Sequence, residues 1–113
     1  MNVYEEYRRI LAEKAKKHLD AAAKAKAAND ERTNSVELMQ ASMLGPMLEQ
    51  LGRVDHEKIR PGILQKEIDH MQAEQKRFEQ LGDFDQADRW RLKAETTRFA
   101  LKTLRDLEAE NEK

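Results

Sequence analysis

Apolar residues return every three or four positions in four separate stretches of the chain, the period at which side chains stack on one face of an α-helix. From Val3 to Ala28 the recurring set is Val3, Tyr7, Ile10, Leu11, Leu19 and Ala22, set in an alanine-rich background that favours helix. This predicts a first helix over 3–28, ending near Asn29-Asp30. A second is expected over 34–51, with Asn34 and Glu37 spaced as a capping box and Val36, Met39, Met43, Met47 and Leu51 as its apolar positions. Gly45-Pro46 falls inside it and predicts a break or kink, because proline removes a backbone donor and disfavours helix at the residue before it. The stretch "LGRVDHEKIRPG" reads as the main loop, with Gly52 as a C-terminal cap and Pro61-Gly62 at the next helix start.

The third helix is expected over 61–81 on Ile63, Leu64, Ile68, Met71, Phe78 and Leu81, with Gly82 supplying the left-handed turn that ends it. Asp83 and Gln86 then form a second capping box, so a fourth helix follows at once over 83–110. If Leu81 faces Phe84 across this turn, antiparallel packing pairs residues whose numbers sum to about 165. Phe78 then meets Ala87, Met71 meets Ala94 and Leu64 meets Leu101, while Glu74 is expected to pair with Arg91 and Glu67 with Arg98. Large residues meet small ones in two of these three seam pairs, and acids meet bases at the edge.

Composition narrows the class further. The chain has 113 residues, 38% of them charged and 5% aromatic, with few Gly and Pro, which is the profile of solvated helices rather than sheets. The expected fold is all-α: a small antiparallel bundle of about four helices in a single domain, with a C-terminal helical hairpin. Twenty-one Lys and Arg balance 22 Asp and Glu, so no bulk field draws in nucleic acid or an anionic membrane. With no cysteine, thiolate catalysis, disulfides and cysteine-ligated zinc are excluded. No apolar run is long enough for a membrane span and "MNVYEEYRRI" lacks the features of a secretory signal, so a cytoplasmic protein is expected.

Few residues suggest chemistry. Glu67 and His70 have the E-x-x-H spacing of di-iron bundles, but such a site needs two of these motifs, and neither His18 nor His56 follows a carboxylate at that distance. Ser35 and Ser42 lie at a helix start and inside a helix, away from any nucleophile elbow, and the four glycines are scattered. The expectation is no enzyme, no metal, no cofactor and no small-molecule substrate.

Surfaces for a partner are better represented. Met39, Met43 and Met47 form an i, i+4, i+8 stripe that suits either a bundle core or a helix-accepting surface, with Met43 leaning to core and Met47 to interface. Trp90, the only tryptophan, borders the hairpin seam near Gln75 and suits either a core edge or an interface anchor. The basic run from Arg8 to Lys26 is offset by Glu5, Glu13 and Asp20 at ion-pair spacing and reads as a solvated face. On the fourth helix Arg91, Arg98, Lys102 and Arg105 line one edge, with Lys102 and Arg105 expected to be free for phosphate, although Asp106 lies close to Lys102.

The segments "AKAANDERTNSVELM", "ILQKEIDHMQAEQKRFEQLG" and "FDQADRWRLKAE" resemble the N-terminal helical half of the YqeY-like family. That family is related to the tail domain of the B subunit of tRNA-dependent amidotransferases. Asp30, Arg32 and Val36 are similar to its turn, basic residue and hydrophobic helix. Leu64, Lys66, Glu67 and Ile68 resemble its next helix, and Phe78 and Gly82 its aromatic and glycine before the hairpin turn. "DFDQADRWR" is also similar to the helical hairpin of the UVR motif, which joins nucleotide-excision-repair subunits. Both resemblances imply binding rather than catalysis: a protein partner or a second copy through the Met stripe, Trp90 and the hairpin edge, with tRNA on the four basic residues as the alternative.

Overall fold

The computed structural model describes residues 2–51 and 60–112, so the expected loop and its Gly52 cap lie outside the described residues. The described chain is all-α, formed by α1 (Val3–Ala27), α2 (Glu31–Leu51), α3 (Pro61–Gln80) and α4 (Phe84–Asn111). The side chain of Asn2 caps α1 by accepting from the backbone N–H groups of Tyr4 (3.1 Å) and Glu5 (3.3 Å). Pro61 opens α3, where its missing N–H costs nothing because the first helical donors have no intrahelical partner.

Both tight turns have the same construction. Asn29 (φ 61°) and Gly82 (φ 76°) occupy the left-handed region. The following amide donates back to the third-last carbonyl of the helix, Asp30 N to Ala25 O at 2.8 Å and Asp83 N to Phe78 O at 2.9 Å. These are Schellman closures, which satisfy carbonyls that the helix end would leave unpaired. In each case the next residue is an aspartate that caps the new helix: Asp30 accepts from Thr33 N (3.1 Å) and Thr33 Oγ1 (2.6 Å), and Asp83 from Gln86 N (3.2 Å).

Two expectations for α2 are corrected here. The helix starts at Glu31 rather than Asn34, because Asp30 and Thr33 supply the cap, and Asn34 instead donates its amide to Ala22 O (2.8 Å) across the hairpin. It also runs unbroken through Gly45-Pro46. Proline inside a helix costs about 3 kcal/mol, but Leu44 and Met47 on either side of the pair are buried in the core. Ser42, whose carbonyl loses its donor, shares an exposed face with Gly45 and Pro46, where water can bond to it.

Cross-links between helices fix the topology. Arg32 Nη2 reaches Asp85 Oδ1 (3.4 Å), and Gln40 Nε2 donates to Thr96 Oγ1 (3.4 Å), so α2 and α4 run parallel and both tight turns lie at one end. Helix α4 packs on both α1 and α2, whereas the backbone of α3 comes close to α4 alone among the described residues. The core gathers at the opposite end, where Tyr7, Leu11, Leu44, Met47, Leu64, Ile68, Ala100, Leu101, Leu104 and Leu107 form one cluster drawing on all four helices. The buried Tyr7 hydroxyl donates to Ala100 O (2.9 Å), and burial pushes its phenol well above the ordinary tyrosine range. No described helix is long and apolar enough to cross a membrane.

Candidate interaction surface

The methionine stripe divides. Met47 is buried (8% exposed) inside the core cluster, which reverses its expected lean toward an interface, while Met39 and Met43 are half-buried. The reason is the intact helix: without a break at Pro46, Met47 follows Leu44 on the face that meets α4. Trp90 is half-buried and already engaged, with the His70 ring edge-on at 5.7 Å and Lys93 Nζ 4.3 Å from its centroid. His70 is thereby placed on an aromatic edge. Among the described residues no group of three His, Asp or Glu is placed to share a metal ion.

The hairpin keeps its expected apolar seam and changes its charges. Leu64, Ile68, Ala87, Ala94 and Leu101 are buried, and Thr97 Oγ1 lies 3.5 Å from Met71 Sδ, in keeping with the expected register. The two ion pairs expected across the seam do not form. Glu74 pairs with Arg77 on its own helix (2.8 Å), and Arg91 pairs with Asp88 (2.6 Å) and Glu95 (2.7 Å) on its own helix. Partners at i±3 and i±4 are reached with less ordering of long side chains than partners across a seam. Glu67 has no cation within ion-pair distance among the described residues, and desolvation raises its carboxyl above the usual range.

The distribution of free cations on α4 changes accordingly. Lys102 pairs with Asp106 (2.8 Å), so it is not free as expected, whereas Arg98 and Arg105 have no carboxylate partner among the described residues. Arg98, Lys102 and Arg105 line a groove of about 420 Å³ between α3 and α4, with Ile68 and Leu101 at its floor and Gln65 and Gln72 on the far wall. A second groove of about 380 Å³ lies on the same side of the hairpin toward its turn, lined by Gln75, Glu79, Phe84, Ala87, Asp88 and Arg91. All four arginines and lysines singled out from the sequence therefore face this side.

On α1 most basic residues are exposed as expected, but the expected ion pairs do not form: Arg9 takes Glu6 and Glu13 instead of Glu5, Lys17 and Lys24 have no carboxylate within ion-pair distance among the described residues, and half-buried Lys14 places its Nζ 4.8 Å from the Phe99 ring centroid. Inside the α1–α2 seam, His18 Nδ1 and Glu37 Oε2 approach to 2.5 Å, with 11% and 23% of their side chains exposed. Glu37 was expected to reach back to a cap at Asn34; it instead meets His18 across the hairpin.

The most exposed large apolar residues are at the second turn. Leu81 is 68% and Phe84 70% exposed, so the two residues that flank Gly82-Asp83 lie largely in solvent. Phe84 borders the groove it shares with Gln75, Glu79 and Ala87, which leaves most of its ring uncovered. Position by position, Leu81 and Phe84 correspond to Ala28 and Glu31 of the first turn, which has the same backbone closure. That substitution of large apolar for small and charged residues was visible in the sequence, but the equivalence of the two turns was not.

Comparison of the chain with models of known protein families, with curated proteins and with solved structures yields no match.

Proposed function

We propose that this chain is a cytoplasmic, non-catalytic helical interaction module that engages another protein chain through the tip and outer groove of its α3–α4 hairpin. The observation that carries the reading is the contrast between the two turns. A Schellman closure with an aspartate cap needs neither a leucine nor a phenylalanine, since the first turn forms with Ala28 and Glu31 in their places. Leaving Leu81 and Phe84 in water forfeits burial worth about 1.5–3 kcal/mol per side chain. Clustered exposed apolar residues of this kind mark contact surfaces. The YqeY-like and UVR-like resemblances of the same segments support binding over chemistry, and the burial of Met47 moves the contact from the methionine stripe to the tip.

A photo-reactive amino acid replacing Leu81 in the full chain, irradiated in cells, tests this. A discrete covalent adduct is expected at position Leu81, lost with Phe84→Ser, and absent when the same group replaces Ala28. Equal labelling at the two turns would remove the reading.

A second reading, RNA held on the α4 edge, is favoured by one observation: Arg98 and Arg105 stand without acidic partners in the same groove as Lys102. Two to three phosphates neutralised there give a log-log salt slope of about −1.5 to −2.5, and Arg98→Ala with Arg105→Ala flattens it by about 1.5. Absence of salt-sensitive tRNA binding near 50 mM salt, where such contacts are strongest, would eliminate it.

A further inference from the structure

The outer face of the α3–α4 hairpin is complementary to itself. At its turn end Phe84 projects into solvent, and Glu79 and Asp83 carry negative charge with no cation within ion-pair distance among the described residues. At its other end lies the 420 Å³ groove with Ile68 and Leu101 at the floor and the unpaired Arg98 and Arg105 at the rim. Phe84 and Lys102 are separated by about five full helical turns, or ~27 Å, so the projecting ring and the groove have the same azimuth on α4. Between them Arg91 is closed by Asp88 and Glu95 on its own helix.

We infer that this face binds a second copy of the chain in an antiparallel two-fold dimer, each Phe84 seated in the partner's Ile68–Leu101 groove. An isologous interface requires that one patch complement itself under a half-turn. A half-turn about an axis lying across the outer face of α4 at the level of Lys93 does this here: it carries the acidic end of one hairpin onto the basic end of the other, twice over. Each phenylalanine leaves water for an apolar floor and brings its ring beneath two guanidiniums, a favourable site for a cation over an aromatic face. Glu79 and Asp83 of each copy fall beside Arg98 and Arg105 of the partner and neutralise them. The Phe84 rings, exposed in a single copy, are then covered. The inference rests on the interaction-module reading and names its partner.

Sedimentation equilibrium of the full chain tests it, with circular dichroism confirming that each variant folds. A dimer is expected near 50 mM salt, with a dissociation constant that weakens about tenfold or more by 500 mM as the end-to-end charges are screened. Phe84→Ser, an exposed position, is expected to give a folded monomer. Arg98→Glu with Arg105→Glu, and separately Glu79→Lys with Asp83→Asn, which keeps a capping side chain at the start of α4, are each expected to be monomeric alone. Mixed, the two variants are expected to form a heterodimer, because both junctions then join opposite charges. A native chain that is monomeric at low salt overturns the inference, as does a dimer unaffected by Phe84→Ser or a mixture that does not associate. The Leu81 photo-adduct separates the two levels: a monomer that still labels a different protein sinks only the self-association, whereas absence of any adduct removes the interaction module as well. A monomer that binds RNA through Arg98 and Arg105 transfers the groove to the second reading.

Discussion

The two hairpins are closed by the same turn and differ in what they bury and expose. In α1–α2 the seam is lined by small residues, Ala22, Ala25 and Ala41, and holds a polar pair, His18 with Glu37, while its tip presents Ala28, Asp30, Glu31 and Arg32 to water. In α3–α4 the seam holds Leu64, Ile68, Ala87, Ala94 and Leu101, and its tip presents Leu81 and Phe84. The first hairpin directs its polar contact inward, with a half-buried pair between its two helices. The second faces outward, with an apolar tip and a charged groove. Backbone geometry alone does not separate a structural turn from a contact surface; the residues at the two positions flanking it do.

The largest effect is expected where the hairpins meet. Leu104, with no exposed surface, lies in the cluster that joins all four helices, and Leu104→Ala is expected to cost about 2–5 kcal/mol in urea unfolding. A transition in which the two hairpins lose helicity at different urea concentrations would show that they are independent units, against the shared core.

The polar pair comes next. Removing one partner with His18→Ala or Glu37→Ala is expected to cost about 1–3 kcal/mol, because the other group stays in the seam without its contact. Replacing both by leucine is expected to recover most of that loss. Equal stability of single and double variants would mean that the α1–α2 seam is not organised by this pair.

The turns themselves are expected to respond unequally. At Gly82, φ 76°, an added Cβ meets no atom within 4 Å, so Gly82→Ala costs only backbone strain, about 1–2 kcal/mol. Asn29→Gly relaxes the same conformation in the first turn and is expected to be neutral or slightly stabilising. A penalty at Asn29 as large as that at Gly82 would show that the Asn29 side chain contributes more than tolerance of a left-handed turn.

Smaller still are the pH effects, which have opposite signs in the two hairpins. The bonds from Thr33 hold the Asp30 carboxyl below its usual range, so its contribution is present above the ordinary aspartate value and is lost as pH falls through the depressed one. Glu67 is raised by desolvation, so the folded chain is favoured while Glu67 is protonated, and that advantage is lost as pH rises through the raised value. At neutral pH, Asp30→Asn is therefore expected to destabilise and Glu67→Gln to stabilise, the latter by no more than about 0.5 kcal/mol after solvent screening. Both differences should shrink toward pH 3, near and below the ordinary carboxylate values, in thermal melts.

Much of this protein could be read from local pattern. Helical class, the two turn positions, the seam residues of α3–α4 and the end of α1 follow from a 3.6-residue period and from the chemistry of Asn, Gly and Asp at helix ends, which depends on a few neighbouring residues. Two features were decided by tertiary packing, the course of α2 and the exposure at the second turn, while a third departure, the ion pairing of the α3–α4 hairpin, is itself local. Pro46 stays inside α2 because Leu44 and Met47 are held in the core, an energy that no local rule contains. The charges of Glu74 and Arg91 settle on their own helices, since a carboxylate one turn away competes successfully with one across a seam. Finally, Leu81 and Phe84 satisfy the apolar pattern of a seam yet stay largely exposed, because a side chain is buried only where a second surface exists to cover it.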